Sequence, residues 1–340
     1  MLVPGGLKGG RPLGHRRRWG LAKVLITGAT GFIGSHLAER LLSEGQEVWA
    51  LVRREPRWLP KGVKLIRGDL RGELPPLRGF HHVFHLAGLT RAKHPGEYFE
   101  VNRTGTERLL EALEASGGIT GRFLYLSSLA AAGPSTPSRP RKEEDPPRPV
   151  SPYGRSKLEA EGVALGHRDS LQVGILRAAA VYGPRDDYML QLFKLVKGRF
   201  VPMLRREQWL SLCFVQDLVE ALILAADADY PSGEVFFISD GVKHPLQSLI
   251  DMVASLLDIR YMRIRIPAPV AWLCAYGGEL FGRLRGRAVA FTPSKCAEAL
   301  QEAWLCDISK AREVLGFSPR WSLREGLELT LAWYLKAGWL

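Results

Sequence analysis

The sequence predicts an α/β fold, a doubly wound parallel sheet followed by a smaller α/β lobe, and three observations carry that expectation. Short apolar runs rich in β-formers recur through the first half of the chain, helical patterns alternate with several of them, and the first run opens through three regularly spaced glycines into a helical pattern. With 340 residues, 46% of them hydrophobic, the chain can fill one large domain or two closely joined ones.

Residues 1–22 read as a disordered basic leader outside the fold. The stretch 1–23 holds six Lys/Arg and no Asp/Glu, so half of the formal charge of +12 sits there, and it lacks the continuous apolar run of a signal peptide. Residues 23–27 (KVLIT) then read as a buried parallel strand. From Gly34 onward Leu37, Leu41 and Leu42 share a helical face that ends at Gly45. Segments 47–52, 64–69, 82–87, 122–128 and 172–183 read as further buried strands, with helices over 97–115 and 153–166. The proline-rich, charged run 131–152 is expected to be an exposed loop beside the site. The sheet domain therefore spans 23–183 and the lobe 184–340, with a segment near 211–240 expected to return to the sheet.

Several function classes are excluded at this level. Cys213, Cys274, Cys296 and Cys306 show no CxxC spacing, which argues against a zinc site or disulfide framework and for a reducing, cytoplasmic setting. His81, His82 and His85 have no accompanying carboxylate cluster, and His82 and His85 cannot share a strand face, so no metal site is expected. The longest uncharged apolar segment of the C-terminal half, 266–278, is shorter than a bilayer span and holds prolines and glycines, so no transmembrane helix is expected. Basic and aromatic residues do not interleave, so no nucleic-acid partner is expected.

The glycine run TGATGFIG occupies 27–34, directly between strand and helix. Gly28, Gly31 and Gly34 permit a tight turn and let backbone N–H groups approach a pyrophosphate at the positive end of the helix dipole, the cradle of a dinucleotide. The second strand exits into Arg53 and Arg54 and lacks the acid that a ribose 2′-hydroxyl would need. A guanidinium suits a 2′-phosphate, so NADP(H) is favoured over NAD(H), with Glu55 close by.

Residues 151–161 (SPYGRSKLEAE) place Tyr153 and Lys157 four apart, on one helical face. A neighbouring ammonium would lower the Tyr153 pKa for acid/base work, and the lysine can also hold ribose hydroxyls. Ser127 and Ser128 end a strand at the carboxyl edge of the sheet, where a hydroxyl can donate to a substrate carbonyl or simply cap the strand end.

Taken together, these motifs resemble the extended short-chain dehydrogenase/reductase family from about Lys23 almost to the C-terminus, which implies a Rossmann fold. Through its glycine motif the resemblance implies cofactor contacts from Gly28, Thr30, Gly31, Phe32, Ile33 and Gly34. RGDL (67–70) is similar to the segment whose Asp contacts adenine, implying Asp69 and Leu70, and HLAG (85–88) resembles the fourth-strand motif, implying Leu86, Ala87 and Gly88. VNRTGTERLL (101–110) resembles the helix whose Asn supports the site, here Asn102. The resemblance further implies Ser128, Tyr153 and Lys157 as the catalytic triad, and a homodimer through helices starting near Glu97 and Tyr153.

Departures from the family pattern narrow the branch. Ala180 stands where sugar-nucleotide enzymes of the family carry Asn, and Leu210 where they carry a diphosphate-binding Arg. Leu129 and Ala130 replace the Asp-Glu of the dehydratases. What remains resembles the dihydroflavonol reductase and 3β-hydroxysteroid dehydrogenase branches, implying hydride transfer between a nicotinamide and a ketone or secondary alcohol of a relatively apolar small molecule. The apolar segment 266–280 either lines such a pocket or packs as ordinary core. Two other functions stay open: a nucleotide-sugar epimerase, and a non-catalytic dinucleotide-binding scaffold, against which the intact Tyr153 and Lys157 weigh.

Overall fold

Alternate residues of each central strand feed different apolar layers, and this period of two dictates a sheet covered on both faces. The strands are β1 (Lys23–Thr27), β2 (Glu47–Val52), β3 (Lys64–Arg67), β4 (His82–His85), β5 (Arg122–Ser128) and β6 (Gln172–Ala178). Val24 and Ile26 of β1, with Leu124 and Leu126 of β5, join one buried layer, which the helices Phe32–Ser43 and Val215–Asp227 cover. Leu25, Phe123 and Tyr125 join the opposite layer, under the helices Gly105–Ala115 and Pro152–Gly166. A third cluster, including Phe193, Val253, Leu327 and Tyr334, forms the core of the C-terminal lobe. The computed structural model describes residues 20–53, 58–284 and 292–340, so the leader through residue 19, Arg54 and Glu55 lie outside the described residues.

With the strand Glu234–Ile238, β1–β6 make one seven-stranded sheet, ordered Glu234–Ile238, β6, β5, β4, β1, β2, β3. Every neighbouring pair is parallel. The winding direction reverses between β1 and β4, and ligands of such sheets bind at this switch point, outside the carboxyl ends of the strands.

Three segments depart from the sequence-based expectations. The run 172–183 is two strands: β5 ends at Ser128 opposite Ala178, and the last link to the sheet is Ala179 N, which donates to Ile238 O (2.9 Å). Ala180–Tyr182 turns away to pair with Leu212–Phe214. Helix 97–115 is interrupted by a wider π turn over Phe99–Thr104, which carries the buried Asn102. Loop 131–152 is docked rather than merely exposed: Ser135 N donates to Ala303 O (2.9 Å), Arg141 N to Leu305 O (2.9 Å), and Glu143 accepts from Phe237 N (2.8 Å). Backbone groups of the loop and the Glu143 carboxylate thereby satisfy peptide groups distant in sequence, a pairing that local composition does not encode.

Behind β5 and β6 lies a fully buried ion pair, Arg177 Nη2 to Glu161 Oε2 at 2.7 Å, to which Ser127 Oγ adds a donor. Glu161→Gln removes the charge and leaves the guanidinium buried without a counter-ion, so unfolding free energy should fall by about 3 kcal/mol or more, measured by urea titration. A loss under about 1 kcal/mol would show that the pair contributes little beyond packing.

Candidate active site

The crevice is built by glycine where the loops after β1 and β4 touch. Gly28 has φ +73°, and a Cβ on it would lie 2.6 Å from Ala87 N. A Cβ on Gly34 would lie 2.2 Å from Gly28 O, so that glycine lets the helix Phe32–Ser43 pack against the turn. No side chain caps this helix, and its first turn has no acid, so its N-terminal dipole is left for an anion beside Thr30 and Gly31.

Gly28, Thr30, Gly31, Arg53, Asp69, Leu70, Leu86, Ala87 and Gly88 all line this cleft. Phe32, Ile33 and Gly34 do not line it; they pack behind the cradle. Arg53 is exposed at its rim. Asp69 Oδ1 accepts from Arg71 N (3.1 Å), which fixes the turn after β3. An open glycine wall, a helix N-terminus without a carboxylate, and flanking polar groups fit a dinucleotide.

Beneath the cleft runs a hydrogen-bond relay that sequence reasoning passed over. Ala87 N donates to Thr27 Oγ1 (3.2 Å), and Thr27 Oγ1 lies 2.6 Å from His85 Nδ1. On the other side His85 Nε2 lies 2.9 Å from Thr106 Oγ1, which donates to Asn102 O (2.5 Å). Because Thr106 spends its proton on that carbonyl, His85 donates from Nε2 and accepts at Nδ1 from Thr27. Burial, with the Lys157 charge adding to it, depresses the His85 pKa to about 3, so the ring is neutral. The strand-end position of His85 was legible; its partners, 21 and 58 residues away, were not.

Asn102 likewise stands back from the cleft. Its Oδ1 accepts from Leu89 N (2.7 Å), and its Nδ2 donates to Leu89 O (3.2 Å) and Ser156 Oγ (2.9 Å). It therefore clamps the loop after β4 to the helix that bears Tyr153 and Lys157.

Ser128 and Tyr153 meet at the sheet edge. The Ser128 side chain accepts from Ala130 N (3.1 Å), capping the short helix Leu129–Ala132, and it also acts on the Tyr153 phenol, lowering its pKa. Capping and an influence on the phenol are thus combined in one hydroxyl.

The expected lowering of the Tyr153 pKa by Lys157 is not what the geometry gives. Burial raises the phenol pKa, and the largest opposing influence is the Lys295 ammonium, followed by Ser128. Although Tyr153 and Lys157 share a helical face, the longer side chain turns onto the sheet. Lys157 Nζ donates to Leu126 O (2.7 Å), 4.1 Å from the Tyr125 ring centroid, and burial brings its pKa down to about 7.

Lys295 arrives from the C-terminal lobe, on the helix Pro293–Ala299. Its Nζ stands 5.3 Å from the Tyr153 ring centroid and 2.8 Å from Glu298 Oε2. Ser151, whose hydroxyl caps the helix Pro152–Gly166, donates to the other Glu298 oxygen. A pairing across 142 residues left no local signal in the sequence.

Residues 24–239 match the model of the family described as "NAD dependent epimerase/dehydratase family". UDP-glucose 4-epimerase of Vibrio cholerae is 30% identical over 92% of this chain and 96% of its own. The ceramide reductase of Caulobacter vibrioides is 29% identical over 93% of this chain and 96% of its own. Among solved structures, MoeE5 in complex with UDP-glucose and NAD is 31% identical and superposes with a TM-score of 0.73 over 93% of this chain and 99% of that one.

Substituting Lys295→Met should raise the Tyr153 phenol pKa, since the cation that does most to stabilise the phenolate is lost. Ultraviolet difference titration against a matched Tyr153→Phe pair reads this directly. An unmoved titration would mean that another group sets the phenol.

Proposed function

The chain belongs to the NAD dependent epimerase/dehydratase family, and from that premise we propose an NADP(H)-linked reductase or dehydrogenase acting on a ketone or secondary alcohol of a relatively apolar molecule. The observation that carries the proposal is that the Ser128 hydroxyl, at the sheet edge, acts on the Tyr153 phenol to lower its pKa, with Lys157 one helical turn beyond Tyr153.

When bound, the nicotinamide supplies or takes the hydride at the substrate carbon. Ser128 holds the substrate oxygen, and Tyr153 gives it a proton in reduction or removes one in oxidation. The raised phenol pKa keeps Tyr153 protonated at neutral pH, the state needed for a general acid. Lys157 commits one donor to Leu126 O and keeps others for ribose hydroxyls.

The apolar character of the substrate is supported by what is missing. Ala180 and Leu210 occupy the positions where a nucleotide sugar would be anchored, and Leu129 and Ala130 provide no acid or base for elimination. The name of the Caulobacter relative, a ceramide reductase, agrees with an apolar substrate. The Vibrio relative, a UDP-glucose 4-epimerase, supports the second function, epimerisation of a nucleotide sugar, and MoeE5 in complex with UDP-glucose and NAD agrees with a nucleotide-sugar ligand. The choice of NADP(H) rests on Arg53, the exposed cation at the end of β2 where an acid would otherwise select a free 2′-hydroxyl.

Tyr153→Phe should lower kcat by at least about 100-fold while dinucleotide affinity, by calorimetry, changes only a few-fold. Turnover within a few-fold of wild type would remove Tyr153 from the chemistry. Arg53→Asp should cost about tenfold or more in NADPH affinity and erase the preference over NADH; an unchanged preference would refute the role given to Arg53.

A further inference from the structure

The C-terminal lobe holds a second cavity, separate from the dinucleotide cleft. Its volume is about 420 Å³, and its walls come from the paired strands Phe200–Leu204 and Met262–Ile266 and the helices Ala268–Leu284 and Pro293–Ala299. Met203, Leu204, Leu246, Ile266 and Leu300 make it apolar. The one polar amide among the lining side chains, Gln208, is already committed to the carbonyls of Ala299 and Gln301. Beyond Gln208 Oε1 the lining side chains offer a polar ligand only thiols, so the space favours apolar groups.

Its position ties it to the reacting centre. Cys296 and Ala299 of the helix Pro293–Ala299 border the cavity, while Lys295 of the same helix stands beside Tyr153. A single helix, about 10 Å across, therefore separates the two.

We propose that the substrate carries an extended hydrocarbon chain, which passes this helix and lies in the cavity while its carbonyl sits at Ser128 and Tyr153. This rests on the reductase function proposed above and specifies its substrate class. Chains too short to clear the helix gain nothing from the cavity. Beyond that length KM falls by about fourfold for each added methylene until the cavity is full.

Cys274 makes the occupancy testable without turnover, because it lines the cavity and is the exposed cysteine, Cys213, Cys296 and Cys306 being buried. In the wild-type full chain, dodecan-1-ol should slow alkylation of Cys274 by N-ethylmaleimide at least tenfold, and butan-1-ol should leave it unchanged. Unslowed alkylation in a protein that still reduces ketones with NADPH would overturn the cavity assignment and leave the reductase standing. Protection by dodecan-1-ol, combined with a fourfold step in KM along a series of alkyl methyl ketones, supports it. Protection without any NADPH-dependent ketone reduction would uphold a hydrocarbon site but overturn its use for a reductase substrate.

Discussion

The site depends on how closely two loops approach each other at the switch point of the sheet. Gly28 leaves no Cβ between itself and Ala87, and the Thr27–His85–Thr106 relay holds the two strand ends at that separation. A neutral histidine suits the task because it donates on one side and accepts on the other, with no buried charge to compensate. The relay ends on the carbonyl of Asn102, whose side chain grips Leu89 and Ser156. One connected set of bonds thus fixes the wall of the cleft and the helix that carries Tyr153 and Lys157. The cleft wall and Tyr153 are kept in register by this connection.

The surroundings of the phenol are governed from the other end of the chain. Lys295 and Glu298 reach Tyr153 and Ser151 from the C-terminal lobe, so the electrostatic environment of the phenol is set only when lobe and sheet are docked. Loop 131–152 strengthens that docking through its bonds to Ala303, Leu305 and Phe237. Residues that line the glycine cleft and residues that tune the phenol therefore come from different halves of the chain.

What was legible in the sequence was local. The glycine cradle, the buried strands of the sheet and the spacing of Tyr153 and Lys157 are each written within a dozen residues, because turn chemistry and side-chain periodicity act at that range. The seven-stranded parallel sheet follows from those patterns, and its match to the family is direct. Lys295 was not legible, since nothing near it announces a partner at Tyr153. The break after Ala178 was hidden because the run stays apolar while its pairing partner changes from Ser128 to the Leu212–Phe214 strand. Helical spacing also misled at Lys157: two residues can share a face while a carbonyl of the sheet captures the longer one.

A reductase exchanges its cofactor at every turnover, whereas a self-recycling epimerase retains it. The most direct test is to purify the full chain without added nucleotide, denature it, identify any released dinucleotide by mass spectrometry, and titrate the empty fraction with NADPH and NADH. An empty protein that prefers NADPH is the predicted result. Near-stoichiometric release of NAD would contradict both the reductase function and the role of Arg53.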